Sequence, residues 1–378
     1  MLFINFCEIF WICNIYKLIL VLINMDINKL EEDNRKLVEK FGAELISKLH
    51  ELPDFYTFNK GLIYSHRDFD DFFSALKKGE KCAIVSGFNA SGTIHLGHKP
   101  VFDTNLFFQK KYGIPVYIPI SDDESYVTGK VKNQEEALEN SKELAKELIA
   151  YGFDPKKTYF IIDQIYTNIY NLAIKLSKKI NYSEIKATYG YRPEENIGLH
   201  FYPAVQSAHI LFPQEKFGVK NVLVPIGPDE DAHIRISRDI ARRFGYQLPA
   251  ILHSFFMPGL DGGKMSKSKN NAIFLKDDEK TIRKKVNKAF SGGADTAEEQ
   301  RKHGGNPEKD VSIYYLSNLF LGEQESEKLK HDYRKGKILS GEVKKMLGDK
   351  IVEFTKEFQS RLKKINLKDV EDCILKNE

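Results

Sequence analysis

Two histidines three residues apart, His95 and His98 in the run ASGTIHLGH, stand between an apolar stretch and a helix-patterned one. Helix N-termini attract anions, and two imidazoles add donors that can follow charge as it moves onto phosphate oxygens. Gly97 lies between them, where a side chain would keep a flat ring from resting on the backbone. Some 166 residues later, KMSKS at 264–268 sits on a Gly-, Lys- and Ser-rich loop, PGLDGGKMSKSKNN. Lys264 and Lys267 there can close over a triphosphate and neutralise charge as pyrophosphate departs. Taken singly, an HxGH run is as readily a pair of helix-capping histidines, and a Lys/Ser loop is ordinarily a solvated loop. Both motifs in this order, each in the context it requires, point to nucleotide chemistry. Neither a GxxxxGK[ST] loop nor a GxGxxG loop is present.

The surrounding pattern supplies the elements that must position these groups. KCAIVSGF (81–88), IPVYIPIS (114–121), KTYFIID (157–163), NVLVPIG (221–227) and LPAILHSF (248–255) are short apolar runs that predict buried strands. Between them, KPVFDTNLFFQKKYG, NQEEALENSKELAKELIAYGF and DAHIRISRDIARRFG carry helical spacing and stop at Gly. Alternating strands and helices predict an α/β, Rossmann-like parallel sheet with helices on both faces. After Asp277 strand signals vanish, which predicts a helical C-terminal domain. The expected organisation is an apolar N-terminal extension (1–24), an N-terminal helical region and flap (25–78), a catalytic domain (79–276) with an insertion at about 125–200 and the signature loop at 261–271, and a helical domain over 277–378.

Composition narrows the class. With 378 residues, 42% of them hydrophobic, and 29% charged, the chain is neither disordered nor a disulfide scaffold. Cys7, Cys13, Cys82 and Cys373 form no CxxC pair, so no zinc or iron–sulfur site is expected, and a reducing, cytoplasmic location fits. The formal charge is +4, split as +5 over 261–378 and −1 over the first 260 residues, which tilts toward a polyanion partner at the C-terminal end without deciding it. The first 24 residues hold 19 apolar ones and only Glu8 and Lys17 as charges. Three readings of them stand: a start codon placed too far upstream of Met25, an extra helix packed on the body, or a membrane anchor.

HLGH with KMSKS on this pattern resembles the class I aminoacyl-tRNA synthetases. YSHRDFD, ISDDES, FYPAVQSA, PIGPDEDAHIRISRDIA and above all SGGADTAEEQRKHGGNPEKD further resemble the tryptophan branch of archaeal and eukaryotic type, from about residue 60 to the C-terminus. The resemblance implies activation of L-tryptophan by ATP, with Mg²⁺ carried on the ATP phosphates, followed by transfer to tRNA(Trp) by a homodimer that needs no membrane. It implies catalytic roles for His95, His98, Lys264 and Lys267, with Ser91, Gly92, Gly97, Met265 and Ser266 completing the ATP site. No dedicated metal ligands are expected. The dimer surface would lie in the 125–200 insertion, and the C-terminal domain would read the anticodon.

For the amino acid, an indole offers one N–H donor and no acceptor, so its pocket needs one buried acceptor in an apolar slot. Gln206 matches the branch's pocket glutamine, and Glu124 is the second candidate. Val85 and Pro119 occupy positions where human-like members carry Tyr and Gln, which leaves the indole and ammonium contacts open. Asp229, Glu230 and Asp231 follow a strand, where open α/β sheets place ligands. Asp229 and Asp231 are therefore counted in the amino-acid site, against the plain reading of an exposed acidic turn. His66, Arg67 and Asp68 are expected in a flap over the site, or as a charged connector. The rival readings are a tyrosine enzyme of the same class, a non-catalytic tRNA-binding paralogue and a small-molecule nucleotidyltransferase.

Overall fold

In a computed structural model the described residues are Arg35, 37–255, 257–263, Met265 and 270–377. The expectations for residues 1–24, and for Lys264, Ser266 and Lys267, lie outside them. The frame is an eight-stranded sheet among these residues: β1 (Glu44–Leu45), β2 (Ile63–Arg67), β3 (Cys82–Val85), β4 (Phe88–Asn89), β5 (Val116–Ser121), β6 (Thr158–Ile162), β7 (Asn221–Ile226) and β8 (Ala250–Ser254). The parallel core runs β8-β7-β3-β5-β6, and β4 pairs the end of β5. Every residue of β3, β5 and β8 is buried, as expected of strands covered by helices on both faces. The chain passes from β3 to β5 on one side and reaches β7 on the other. That reversal makes the carboxyl ends of β3, β5 and β7 the topological switch point.

The helix Lys99–Tyr112 carries Pro100 in its first turn, where the missing N–H costs nothing, and ends on Gly113 in the left-handed region at φ 71°. Within it Asp103 accepts hydrogen bonds from the Tyr56 hydroxyl, the Tyr151 hydroxyl and the Lys99 ammonium, each at 2.6 Å. That hub ties the segment after His98 to two neighbouring elements. The range 125–200, expected as an insertion, contains β6 and the Gln134–Tyr151 helix that packs on it. The helices added to the βα repeat there are instead Ile169–Ser177, Tyr182–Tyr189 and the first turns of Ile197–Phe217.

A larger difference concerns His66, Arg67 and Asp68. His66 and Arg67 end β2, which pairs antiparallel with β8 and extends the sheet rather than covering the site as a flap. The reason is charge satisfaction at long range. Arg67 Nε and Nη2 donate to Asp231 Oδ1 and Oδ2 at 2.8 and 3.0 Å, His253 Nε2 lies 2.9 Å from Asp231 Oδ1, and Asp68 takes Arg238 Nη2 at 2.5 Å. A strand so charged in sequence is buried because its partners are waiting for it.

From Asp277 on, the chain is helical among the described residues, ending in Ser340–Leu362 and Leu367–Glu371. Its helices share one hydrophobic core with the sheet domain. The Gly-rich stretch 291–310 is a folded knot and not a linker. Asp310 accepts from Ser291 Oγ, the Gly292 amide and Tyr333 Oη, and a Cβ on Gly292 would stand 1.9 Å from the Asn306 carbonyl oxygen. No helix among the described residues is long and apolar enough to cross a membrane.

Burial pushes the Asp231 carboxyl up, but hydrogen bonds from His253 and Arg67 more than reverse this and hold it well below the usual carboxylate range. Breaking a buried pair leaves an uncompensated charge, so Asp231→Asn should destabilise the protein by about 3 kcal/mol or more at neutral pH in urea unfolding. A depressed folded pKa gives stability that is complete above the ordinary Asp value of about 4 and is lost as pH falls through the folded value. The gap between wild type and variant should therefore close in acid, and a gap that closes instead on raising the pH from 7 would refute the assignment.

Candidate active site

A cavity of about 440 Å³ opens at the switch point, within the range that takes small organic ligands. Its walls come from the turns after four strands: Val85–Asn89 after β3, Pro119, Ser121 and Glu124 at the end of β5, Val224–Gly227 with Asp229 and Glu230 after β7, and Ser254 with Phe255 and Met257 after β8. Tyr202, Gln206, His209 and Ile210 of the Ile197–Phe217 helix form another wall. His95, Gly97, His98 and Met265 close the remaining side. A second, more open cavity of about 310 Å³ adjoins it, lined by Gly87–Asn89, Ser91–Thr93, His95, His98 and Lys130.

The histidine pair is built by the local backbone. His95 Nδ1 accepts the Gly97 amide at 3.2 Å, and His98 Nδ1 accepts the His95 amide at 3.1 Å, a reciprocal cap on the first turn. The rings stack at 3.7 Å. A nitrogen that accepts a backbone N–H cannot carry the proton of a neutral ring, so Nε2 carries it in both. Both rings line both cavities.

The second motif reaches the first through Gly97. A Cβ there would lie 2.9 Å from Met265 Sδ and 2.9 Å from His95 Nδ1, so a larger residue would force one of these side chains to shift. The strip following the loop then pairs with the strip preceding the turn: Leu96 N–H donates to Ile273 O at 2.9 Å, and Leu275 N–H to Ile94 O at 3.0 Å. Asn89 joins the loop to the acidic wall. Its Oδ1 accepts from the Ser91 amide and hydroxyl and from Ser125 Oγ, and its Nδ2 donates to Glu124 Oε2 at 2.5 Å. Lys130 Nζ lies 3.2 Å from Glu124 Oε1.

Of the residues expected at the site, His95, Gly97, His98, Met265, Val85, Glu124, Gln206 and Asp229 line the main cavity, and Ser91 and Gly92 line the second. Asp231 does not line either: it is buried beneath, with both carboxylate oxygens held by Arg67. Glu230 lines the cavity in its place. Sequence reading set Glu230 in the same acidic turn and had no means of ranking the three. Tyr202 and His209 were missed altogether, although Tyr202 lies in the segment FYPAVQSA that was singled out and His209 directly follows it.

Under the cavity Asp122, Asp123 and Asp163 place carboxylate oxygens within 4.8 Å of one another, the one group among the described residues with metal-ligand spacing. Asp122 is already committed to the amides of Asp163 and Gln164, and Asp163 Oδ1 to His209 Nε2 at 2.7 Å. Burial pushes the Asp123 and Asp163 carboxyls well up and takes His209 down to about 4, so the cluster carries less charge than its composition suggests. It forms a hydrogen-bonded floor.

Residues 77–356 match the family described as tRNA synthetases class I (W and Y). The tryptophan–tRNA ligase of Methanocaldococcus jannaschii is 40% identical over 346 residues, 87% of this chain and 92% of that protein. That of Methanopyrus kandleri is 36% identical over 346 residues, 88% and 91% of the two chains. Among solved structures, the tryptophanyl-tRNA synthetase of the hyperthermophilic archaeon Aeropyrum pernix K1 superposes with a TM-score of 0.84 at 32% identity, covering 92% of this chain and 97% of that one. One from Encephalitozoon cuniculi bound to tryptophan gives 0.80 at 30% identity, with 91% and 98% covered.

Forcing a methyl into the Gly97 contact should cost about 1–3 kcal/mol and displace Met265. In Gly97→Ala, labelled with [¹³C-methyl]methionine, the Met265 resonance should lose the shift it draws from the neighbouring His95 ring. An unmoved resonance would mean that the two motifs do not touch in solution.

Proposed function

We propose, since the chain belongs to the class I tRNA synthetases of the tryptophan and tyrosine group, that it is a tryptophan–tRNA ligase. It activates L-tryptophan with ATP to tryptophanyl-adenylate and pyrophosphate, and transfers the acyl group to the 3′ end of tRNA(Trp), releasing AMP. The observation that carries this reading is the meeting of HLGH and the KMSKS loop, through Gly97 and Met265, at the mouth of one cavity. Relatives of this length and identity that carry the ligase name support it.

A carboxylate oxygen of tryptophan attacks the α-phosphorus of ATP, and the bond to the β-phosphate oxygen breaks. A ribose hydroxyl of the terminal adenosine then attacks the acyl carbon, and AMP leaves with the bonding electrons. Both nucleophiles belong to substrates, so the protein supplies orientation and charge stabilisation. In our reading the Nε2–H groups of His95 and His98 donate to phosphate oxygens, the turn at Ser91 and Gly92 cradles the triphosphate, and Lys264, Ser266 and Lys267 hold its β and γ groups. The cavity beside Ser91 is lined by Gly, Phe, Asn, Ser, Thr, His and Lys with no carboxylate among the described residues, which suits a phosphate bringing its own Mg²⁺ better than a dedicated metal cage. MgATP is accordingly the substrate.

On the amino-acid side, Gln206 supplies the acceptor for the indole N–H, with Glu124, Asp229 and Glu230 as carboxylates available to the ammonium. Val85 and Pro119 give apolar wall. The basic helical end over 277–378 is assigned to the tRNA anticodon arm, the helices between β6 and β7 to a homodimer contact, and the enzyme to the cytoplasm, with no membrane partner.

Amino-acid-dependent ATP–pyrophosphate exchange tests the whole reading. Tryptophan should support exchange, while tyrosine and the no-amino-acid control should not; exchange with tyrosine instead would overturn the specificity, and none with either would overturn activation. Removing the Lys267 ammonium in Lys267→Ala should slow adenylate formation by about 100-fold or more while tRNA binding in a filter assay persists. Near-normal exchange in that variant would refute the role given to the lysine.

A further inference from the structure

Glu147 is a buried acid that the chemistry above does not use. It stands on the buried side of the Gln134–Tyr151 helix and is 2% exposed. A carboxylate so placed has to be satisfied by hydrogen bonds, a counter-charge or both. Glu147 takes one of each, from the flanks of the two motifs: Oε2 accepts the Ile94 N–H in a long bond of 3.4 Å, and Oε1 pairs with the Lys276 ammonium. Ile94 directly precedes His95, and Lys276 follows the strip that leaves the KMSKS loop.

The carboxylate sits at the end of the ladder between those two strips. His95 faces Phe274 in an antiparallel bridge, closed by Leu96 N–H to Ile273 O and Leu275 N–H to Ile94 O. In a regular ladder Ile94 and Leu275 would exchange both of their bonds. Here the reciprocal one, from Ile94 N–H to Leu275 O, is replaced by side chains on both groups. Glu147 accepts the Ile94 N–H, and Gln359 Nε2, from the Ser340–Leu362 helix, donates to Leu275 O at 2.9 Å and to Asp277 O at 3.0 Å. The strip after the loop is held further by Asp277 Oδ2, which accepts the Phe274 N–H at 2.9 Å, and by Lys285 Nζ, which donates to Ala272 O at 2.9 Å. Glu147 is the side chain that bridges the two strips, with one oxygen on each.

We propose that Glu147 is a positioning residue for amino-acid activation: by holding Ile94 and Lys276 on one carboxylate it fixes the end of the ladder, and with it the place from which the KMSKS loop reaches over the histidine turn. Gly97, on which Met265 seats, directly follows the ladder's other end at Leu96. Catalysis by orientation is sensitive to such a register, since a misplacement of about 1 Å can cost about 100-fold in rate. The proposal rests on the ligase reading above, and Glu147, which lines neither cavity, touches no substrate.

The test is the single-turnover rate of tryptophanyl-adenylate formation, at saturating ATP and tryptophan, in wild type, Glu147→Gln, Lys267→Ala and the double variant. Glu147→Gln keeps the shape and an acceptor for Ile94 but turns an NH₂ toward the Lys276 ammonium. It should slow the step about tenfold, with the dissociation constant for tryptophan within about twofold of wild type. Rates are taken per active site from the burst amplitude, so a loss of folded protein does not imitate the effect. A carboxylate that acts through the loop matters little once the loop's lysine is gone, so Glu147→Gln should slow Lys267→Ala by less than about twofold. A tenfold loss in both backgrounds, or no loss in either, would overturn the proposal. Should Glu147→Gln not fold, Lys276→Met removes the counter-charge from a side chain that is 40% exposed. That change should slow wild type about fivefold and Lys267→Ala by less than about twofold, and equal effects on the two would again overturn the proposal. Failure of the wild type to form adenylate from tryptophan would sink the underlying reading instead, so the two failures are distinguishable.

Discussion

The site depends on one contact between distant pieces of chain. His95 to His98 and Met265 lie some 170 residues apart, and Met265 seats on Gly97 of the turn that holds the histidines. The sheet makes that possible. β3 delivers the first motif and β8 the second, and β7 lies between them in the sheet, so the two loops leave the same edge within reach of each other. Two backbone hydrogen bonds between residues 94–96 and 273–275 then fix their register. On the far side, Leu260 N–H bonds to Asn271 O and Phe290 N–H to Leu260 O, so the segment carrying the second motif is anchored at both ends.

The chemistry this frame supports needs little from the side chains beyond aim. Each ring of the histidine pair spends Nδ1 on backbone and keeps a proton on Nε2, which makes donors whose direction is set before any ligand arrives. Preorganised donors of this kind cost no reorganisation when charge develops on a phosphate. The acidic floor follows the opposite logic. Asp122, Asp123 and Asp163 next to His209 would repel an incoming carboxylate or phosphate if all were ionised, and burial instead favours the neutral forms of Asp123 and Asp163, while hydrogen bonds hold Asp122 and Asp163 in place. At the cavity wall, by contrast, burial raises the Glu230 carboxyl but hydrogen bonds hold it below its ordinary value.

Much of this was legible in the sequence, and the limits have physical causes. The five parallel strands could be read because strands buried on both faces are continuous apolar runs, and the helix ends because Gly113 and its counterparts must adopt positive φ. β2 could not, because YSHRD reads as a charged connector, and its burial depends on Asp231, Arg238 and His253 more than 160 residues away. The acidic turn shows the same limit over a shorter span. Asp229, Glu230 and Asp231 straddle a 3₁₀ turn and the first residue of a helix, so successive side chains point about 100° apart, and composition alone does not say which faces the cavity. The partner of Gln206 was hidden likewise: Tyr189 is 17 residues earlier, on a different helix, and nothing in its own surroundings marks it.

The helical C-terminal part is built into this frame and is not appended to it. Lys60 Nζ donates to the carbonyls of Ser317 and Leu321, both at 2.7 Å, Tyr315 Oη to Pro258 O at 2.6 Å, and Arg361 Nε to Ala150 O at 2.6 Å. Each bond satisfies a carbonyl that helix or loop geometry leaves without a partner, so separating the two parts would expose those groups as well as apolar surface. Lys99, the residue after His98, lies over the Phe354 ring at 4.8 Å while donating to Asp103. The first turn of the histidine helix is thereby in direct contact with the longest C-terminal helix.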